Sequence, residues 1–585
     1  MVKHVLGISN LMDSGITLLE GQKIGLALNE ERLVRKKNID GIPSLSLGHV
    51  NEKPDIIALA GEGLKGNPHN FRRFLRFSRG SSLANYPRDF YEFISKRRDS
   101  RLYSKKLVDY AKRRFKGSKI FLTDHHMCHA AGAHFASGNR DSIVITSDGW
   151  GDGISSGVYH GKGKDIAMLF SSPCTASLGR FYLDITRFLG FRPHRHEGKI
   201  TGLAAYGKVN ESLLKKFMKM VNFDEKNVRF TSDVKRYYRF SNLLQDLRWK
   251  FIVKKDYKER YDGKKKAEFL NIGDFKPLLL RLPDEDIAAT AQYWVVELMK
   301  RYVTAIEDNV GRKDMCLAGG VFANVGINKA IHEISCKKIF ISPNMGDGGL
   351  SMGAAFLAAA ETQENPRFKF ENVYLGPEFS DNEIEDDLKR SGCEYHKNEE
   401  IEYEIAELLS KGKVVARFNG KMEFGPRALG NRSILYTPID RSVNEWLNKR
   451  LKRTEFMPFA PTTLGRFGHK CYDNLKNAEN AARFMTIALD CSEWMKDSCP
   501  AAVHVDGTAR PQLLRKEDNP DYYKIISEFN KITGLPSVVN TSFNMHEEPI
   551  VCSPWDAIRA FKLGHLDYLA IGRFMVKNRI RSEGS

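Results

Sequence analysis

The chain has 585 residues and carries 91 Lys and Arg against 72 Asp and Glu, a net charge of +19 with histidine neutral. At 42% hydrophobic and 28% charged residues it is long and apolar enough for several cores, which excludes global disorder. No apolar run is long enough to span a bilayer, no secretory leader is read at the N-terminus, and nine cysteines without a C-x-x-C pair suit neither a disulfide framework nor a thiolate zinc site, so a cytoplasmic protein is expected.

In chain order, HVLGIS and GITLLEGQKIGLALNEERL predict a strand, a turn and two more strands, because apolar β-formers are punctuated by Gly. Residues 65–119 then hold 17 basic and four acidic side chains, so +13 of the surplus is local. Aromatic residues run through this stretch, and cations with interleaved rings can neutralise phosphates and stack on bases. Equally, Phe90, Phe93, Ile94, Tyr103, Leu107 and Tyr110 recur at helical spacing and can turn inward, leaving the cations merely solvated. A second basic run, Lys250 to Lys266, reads as a surface excursion.

In DHHMCHAA, a helix places His125 and His129 one turn apart on one face, a spacing at which two imidazoles can share a cation. Two carboxylates are available to complete the set, Asp148 of SDGWGDG and Asp347 of SPNMGDGG. Such a His2Asp2 group suits a divalent metal that also touches phosphate, although a solvated histidine pair is the alternative. DSIVITSDGWGDGISSGVY repeats the opening pattern of strand, acidic Gly turn and strand, which implies two related lobes flanking a nucleotide cleft. Helices are predicted from Asp284 to Glu307 and Gly349 to Thr362, and the Gly319-Gly320…Asn324 and Gly346-Asp347-Gly348-Gly349 loops are candidates for nucleotide contact.

Residues 364–383 read as a linker, followed by helices at Asn382 to Lys389 and Glu402 to Lys411 and a strand at Lys413 to Phe418. Beyond it, cations stand singly within Gly, Pro and Ser loops: FNGKMEFGPRALGNRS, NKRLKRTEFMPFAP and VDGTARPQ. Guanidinium forks fit phosphate, and Asn540, Ser542 and Asn544 of VNTSFN can add neutral donors; pairing with local carboxylates is the alternative. No Gly-x-Ser-x-Gly elbow or Walker loop is present.

Taken together, DHHMCHAAGAHF, TSDGWGDG, EGKITGLAAYG, AGGVFANVGINK, SPNMGDGGLSMGAA, KMEFGPRALGNRSIL, EFMPFAPT and LPSVVNTSFNMHEEPIV resemble the ATP-dependent O-carbamoyltransferases that act on nodulation factors, aminoglycosides and cephalosporins. The resemblance implies an α/β chain in two parts: residues 1–365, an actin-like ATPase-fold domain related to the tRNA threonylcarbamoyl transferase and carrying the basic insertion 65–119, and residues 366–585, an α+β domain related to threonylcarbamoyl-adenylate synthase. It implies that carbamoyl phosphate and ATP form carbamoyl adenylate in the second part and that the first passes the carbamoyl group to an acceptor hydroxyl. By the same resemblance Arg427, Lys452, Arg510 and Ser542 hold the phosphates, and His125, His129, Asp148 and Asp347 bind a divalent ion, Fe2+ or Mg2+/Mn2+. Gly319, Gly320, Asn324, Asp347 and Asn540 serve the nucleotide, and Lys37 of EERLVRKK contacts the adenylate.

One departure stands out. The family usually has a His just before Asp-Ser on the acceptor side, where this chain has Met12 in NLMDSG, and a thioether cannot take a proton as imidazole does. Either the metal and the adenylate suffice, or another group such as His194 or His196 substitutes. The favoured acceptor is 5-hydroxymethylcytosine in DNA, tracked by residues 65–119. The alternatives are a small metabolite hydroxyl on an antibiotic, toxin or oligosaccharide, or a nucleic-acid-binding regulator without transfer activity. A homodimer is compatible with the sequence, and no membrane partner is expected.

Overall fold

The computed structural model describes residues 4–61, 105–232, 276–279, 281–335, 337–363, 366, 368, 370–452 and 459–578. The first sheet contains β1 (His4–Ser9), β2 (Gly15–Glu20), β3 (Lys23–Asn29), β4 (Ile56–Ala60) and β5 (Lys119–Thr123), in the order β3-β2-β1-β4-β5. β1 to β3 form an antiparallel meander, and β4 and β5 run parallel to β1. After α1 (His125–Ser137), a second sheet contains β6 (Asp141–Gly151), β7 (Ile154–Lys162) and β8 (Asp165–Pro173). Helices α2 (Leu178–Phe188), α3 (Glu197–Ala204) and α4 (Asp284–Val310) precede β9 (Asp314–Ala318), α5 (Val325–Ile334), β10 (Ile339–Ile341) and α6 (Leu350–Glu361).

The second sheet has the order β10-β9-β6-β7-β8, again a meander with two strands parallel to its first member. Order and direction therefore match between the two sheets, so the repeated strand-turn-strand pattern marks a duplicated α/β unit. Central strands such as IIALA of β4 are buried along their length, as expected where a parallel sheet is covered on both faces.

Helices α1 and α6 fill the space between the two sheets. They approach closely because their facing positions are small. A side chain at Gly353 would collide with the Cys128 carbonyl of α1, and one at Gly7 of β1 with the Ser351 carbonyl of α6. This layer fixes the start of α1, where the paired histidines lie, relative to the start of α6, where Asp347 lies.

Only the end of the basic stretch falls within the described residues. There 105–114 is helical, and Leu107, Ala111 and Phe115 are buried against the outer face of the first sheet while Lys105, Lys106, Lys112, Arg113 and Arg114 are exposed. This is the arrangement of an ordinary amphipathic surface helix. The expectation for 65–104 and for the Lys250–Lys266 run lies outside the described residues.

The C-terminal part is built on one sheet containing β11 (Tyr395–Lys397), β12 (Val415–Phe418), β13 (Arg432–Tyr436), β14 (Ala460–Leu464), β15 (Gln512–Leu514), β16 (Ser537–Ser542), β17 (Tyr568–Ile571) and β18 (Phe574–Lys577). Their order is β11-β18-β17-β12-β13-β16-β14-β15. Helices α7 (Ile401–Ser410) and α8 (Pro520–Thr533) cover one face through Ile405, Leu409, Ile525, Ile526 and Phe529. On the other face, α9 (Pro554–Leu563) contributes Ile558 and Phe561. No helix among the described residues is long and apolar enough to cross a membrane.

The close approach of α1 and α6 has opposite consequences at its two glycines. Gly353→Ala is expected to destabilise the protein by about 1–3 kcal/mol through overpacking. Gly132→Ala, whose added methyl would lie 3.8–3.9 Å from its neighbours, is expected to be neutral or to raise the thermal midpoint. Thermal denaturation of the two variants checks both signs.

Candidate active site

The first turn of α1 presents His125 and His129, buried to 1% and 3% exposure, on the same side. The helix is started from outside: the His125 backbone N–H donates to Asp152 of the DGWGDG turn at 2.6 Å. The same turn supplies Asp148, and Gly151 within it lies flat against the His125 and His126 rings, where any side chain would collide. The loop before α6 supplies Asp347.

The four side chains converge. His129 Nε2 is 3.1 Å from Asp148 Oδ2 and 3.6 Å from Asp347 Oδ1, and His125 Nε2 is 3.4 Å from Asp347 Oδ1 and 3.7 Å from Asp148 Oδ2. A cation bound at about 2.1 Å from each donor brings neighbouring donors to about 3.0–3.4 Å, so this spacing fits a single ion. His125 Nε2 is buried and makes no hydrogen bond in this geometry, as expected of a lone pair kept for a cation.

The electrostatics agree. Burial pushes the His125 imidazole down, but Asp347 and Asp148 outweigh it and raise its pKa. Burial would raise Asp148, yet the two adjacent imidazoles, His129 within hydrogen-bond distance at 3.1 Å, hold it well below the carboxylate range. Asp347, buried beside the Asp148 charge, is pushed well above that range. Two carboxylates this close cannot both ionise unless a cation compensates them. The residues present therefore fit a divalent ion.

His126 stands beside the pair but plays a different part. Its Nδ1 pairs with Thr146 Oγ1 at 2.8 Å and its Nε2 with the Ile154 carbonyl at 3.2 Å, and burial holds it well below its ordinary range. It is a neutral core histidine joining α1 to β6 and β7.

The glycine loop after β9 adjoins this cluster. Gly319 has φ 105°, and a side chain there would strike the Ser147 carbonyl; a Cβ on Gly320 would sit 3.2 Å from Asp148 Oδ1. Asn324 caps α5, its Oδ1 accepting from the N–H groups of Gly326 and Ile327 at 3.1 and 3.2 Å. Its amide donates to Gln292 Oε1 at 2.8 Å, and the same oxygen accepts from the Tyr182 hydroxyl at 2.8 Å. Gln292 and Tyr182 are site neighbours with no sequence signal, because each lies on an amphipathic helix that reads as plain core.

In the C-terminal part, Glu423 organises the FGPRALGNR loop. Its buried Oε1 accepts from the N–H groups of Leu429, Asn431 and Arg432 at 2.9, 2.8 and 3.1 Å. The loop is tied to the sheet by Gln512 Nε2 donating to the Leu429 carbonyl at 2.9 Å and Asn540 Nδ2 donating to that of Ala428 at 3.2 Å. Arg427 precedes Ala428 in this loop, Arg510 lies two residues before Gln512, and Ser542 two residues after Asn540. All three are partly exposed, whereas Asn540 is 2% exposed with its amide committed to Ala428, Thr462 and Gln512. Ser542 Oγ donates to Asn544 Oδ1 at 2.7 Å. Lys452 is exposed at φ 56°, beside residues that are not described.

Not every cation in these loops is open to a ligand. Arg432, fully buried, donates to the carbonyls of Asn419, Asn431 and Gly420 and lies 3.7 Å over the Phe418 ring, while Arg417 donates to the Gly430 carbonyl. They hold the loop in shape.

The two parts meet through cations of the N-terminal part. Arg32 Nη2 donates to the Gly425 carbonyl at 2.6 Å, and Arg35 donates to the carbonyls of Ile550 and Pro549, each at 2.7 Å. Glu547, at φ 62°, receives His196 Nε2 at 2.7 Å, Arg195 at 2.9 Å and Arg192 at 3.4 Å. Arg195 also donates to the Lys37 carbonyl at 2.8 Å, which places Lys37 at this junction. By sequence His196 is a candidate substitute base, but both of its nitrogens are engaged, since Nδ1 accepts from the Arg192 N–H at 3.1 Å.

The chain thus combines a duplicated α/β unit that carries a His2Asp2 cluster with a sheet that bears cationic loops. The carbamoyltransferase N-terminus family model matches residues 4–356 and the carbamoyltransferase C-terminus model residues 406–578. The chain belongs to the carbamoyltransferase family. It is 32% identical to nodulation protein NolO of Bradyrhizobium diazoefficiens, over 78% of this chain and 79% of that protein. Nodulation protein NolNO of Sinorhizobium fredii is 31% identical over 80% of this chain and 65% of that protein, and an uncharacterized protein of Methanocaldococcus jannaschii 34% over 79% and 74%. The solved structure of T. kodakarensis HypF covers 62% of this chain and 48% of that chain with a TM-score of 0.32 and 15% identity, too weak a likeness to carry an argument.

His129→Ala is expected to weaken binding of Mn2+, followed by calorimetric titration, by more than about 100-fold, since even partners behind a ligand cost 10- to 100-fold. Acid acts in the same direction: ligation needs neutral imidazoles, so Mn2+ affinity falls as pH drops through a His125 value lying above the ordinary 6.5.

The junction gives a second expectation. Hydrogen bonding from His196, with Arg195 and nearby Lys37, holds Glu547 far below its ordinary 4.5, so its contribution to stability is complete above that pH and lost as pH falls toward the lower folded value. Glu547→Gln is expected to cost about 1 kcal/mol at neutral pH, with a smaller difference from wild type in acid, measured as thermal midpoints.

Proposed function

We propose that the chain is an ATP-dependent O-carbamoyltransferase working in two stages, with residues 366–585 forming carbamoyl adenylate and residues 1–365 transferring its carbamoyl group to an acceptor hydroxyl. Carbamoyl phosphate is hydrolysed to carbamate and phosphate; the carbamate oxygen then attacks the α-phosphorus of ATP, giving carbamoyl adenylate and pyrophosphate. Arg427, Arg510 and Ser542, with Lys452, are assigned to the phosphates, where guanidinium forks and a hydroxyl stabilise charge that grows as pyrophosphate leaves. A relation of this part to threonylcarbamoyl-adenylate synthase belongs to the same reading.

The observation that carries the proposal is a contact between the segments that lead into the two sites. Gly425, two residues before Arg427, lies against the Pro343 carbonyl of the segment leading to Asp347, so closely that a Cβ there would approach it to 2.9 Å. Arg32 holds the same Gly425 carbonyl from the N-terminal side. This contact supports passage of an adenylate made at the cationic loops to the His2Asp2 cluster. Lys37, Gly319, Gly320 and Asn324 are assigned to the adenylate on that side. His125, His129, Asp148 and Asp347 would hold the divalent ion, which when bound supplies positive charge to the adenylate phosphate as AMP leaves. The mixed imidazole and carboxylate donors suit Fe2+ or Mn2+ better than Mg2+.

For the acceptor we favour a small hydroxylated metabolite or oligosaccharide. The described end of the basic stretch has its apolar residues in the core and its cations in solvent, and nothing supports hydroxymethylated DNA.

The purified protein is expected to release pyrophosphate from ATP only when carbamoyl phosphate is present, and Arg427→Ala to slow that release about 100-fold. Pyrophosphate release at the same rate without carbamoyl phosphate would overturn the reading.

A further inference from the structure

The transfer step needs a group that takes a proton from the acceptor hydroxyl, and the groups around the cluster can be sorted by what their polar atoms already do. His125, His129, Asp148 and Asp347 converge on one another. His126 and His196 have both ring nitrogens engaged. The Tyr182 phenol donates to Gln292 and is held by burial above its ordinary range. Glu31 pairs with Arg32 at 3.4 Å and accepts from the Asn38 N–H at 3.2 Å. The Met12 thioether accepts no proton.

Asp13 differs from all of these. It sits in the β1–β2 turn at φ 59°, a left-handed conformation that is unfavourable for most side chains and persists where the surroundings enforce it. The enforcement comes from the site itself. Asn29 Nδ2 donates both to the Asp13 carbonyl at 3.0 Å and to the Gly348 carbonyl at 3.1 Å, and Asn344 Nδ2 donates to Asn29 Oδ1 at 3.0 Å. The turn is thereby clamped to the loop that carries Asp347. The Asp13 Oδ1 atom is buried and has no hydrogen-bond partner, and the neighbouring Ser14 Oγ is in the same state. A buried carboxylate oxygen left unpaired beside a reaction centre is costly unless a substrate group completes it.

We propose that Asp13 is the general base of the transfer step, its carboxylate accepting the proton of the acceptor hydroxyl; this rests on the carbamoyl-transfer reading above. The acceptor oxygen forms a bond to the carbamoyl carbon, and the bond from that carbon to the phosphate oxygen breaks. AMP leaves with the electron pair, the hydroxyl proton passes to Asp13, and Asp13 returns it to solvent. The surroundings suit a proton acceptor. Burial first, then the Glu31 charge, raise the Asp13 carboxyl to about 7, while Arg32, Arg195 and the Asn38 N–H pull the other way, and Asp347 is a further like charge nearby. A base with that affinity can hold a proton in passing and release it near neutrality.

The test separates the two half-reactions in the full chain, supplied with ATP, carbamoyl phosphate, Mn2+ and glycerol as a probe hydroxyl. Pyrophosphate reports adenylate formation, and AMP reports its discharge to glycerol or water. Asn and Gly both accept a left-handed backbone, so Asp13→Asn and Asp13→Gly keep the turn. Both are expected to release the first equivalent of pyrophosphate at the wild-type rate and AMP about 100-fold more slowly. Added formate, which can occupy the space vacated in Asp13→Gly, is expected to restore AMP release. AMP release at the wild-type rate from both variants overturns the proposal. So does loss of pyrophosphate release together with AMP release, formate without effect, or His194→Ala losing AMP release where Asp13→Asn keeps it. A wild-type protein showing no carbamoyl-phosphate-dependent pyrophosphate release is a different result and removes the two-stage reading itself.

Discussion

Two carboxylates and two imidazoles held within 4.8 Å of one another in a largely buried position impose the constraint on which the N-terminal part is built. Like charges at that distance repel unless a cation or protons compensate them, so each donor must be held from behind. Asp152 fixes the start of α1, Gly151 lets the DGWGDG turn lie flat on the rings, and the small residues of α1 and α6 set the separation of the histidines from Asp347. Chemistry and packing thus meet in the same glycines. A larger residue at Gly353 would push apart the helices whose ends carry the donors.

The two units supply those donors from opposite sides. α1, which follows β5 of the first sheet, carries His125 and His129, while β6 and the segment after β10 of the second sheet carry Asp148 and Asp347, so the cluster lies where the two units face each other. Asn29, at the end of β3 in the first sheet, reaches the Gly348 carbonyl and carries the β1–β2 turn with it. Asp13 consequently belongs to the same rigid arrangement although it lies far from the donors in sequence.

The C-terminal sheet solves a different problem, that of holding irregular loops that carry cations. Glu423 gathers three N–H groups, Arg432 and Arg417 donate to carbonyls, and Asn540 and Gln512 tie the loop down. The junction with the N-terminal part relies on charge: Arg32, Arg35, Arg195 and His196 reach across to carbonyls and to Glu547. Apolar contacts reinforce it, since Phe424, Leu429 and Phe484 pack into the core formed with α1 and α6, and Met422 and Cys552 into that under the first sheet.

Much of this was legible in the chain by itself. Apolar alternation marked the strands of both meanders, the repeated acidic Gly turn marked the duplication, and the i, i+4 spacing placed His125 and His129 on one helical face, because strand and helix periodicities are local properties of the backbone. The long helix ends at Val310 and not at Glu307, a difference of the size that frayed or extended last turns produce. What tertiary structure alone decided are the roles that depend on neighbours distant in sequence. His126 is a core histidine and His129 a member of the His2Asp2 cluster because Thr146 and Ile154 meet one ring and Asp148 the other. Asn540 supports the loop because Ala428 and Gln512 surround it, and His196 is an anchor because Glu547, 351 residues away, takes its proton-bearing nitrogen. The charge-dense stretch 65–119 falls within the described residues only from 105 onward, where helical periodicity decides the packing: Leu107, Ala111 and Phe115 gain from burial while their basic neighbours keep their hydration.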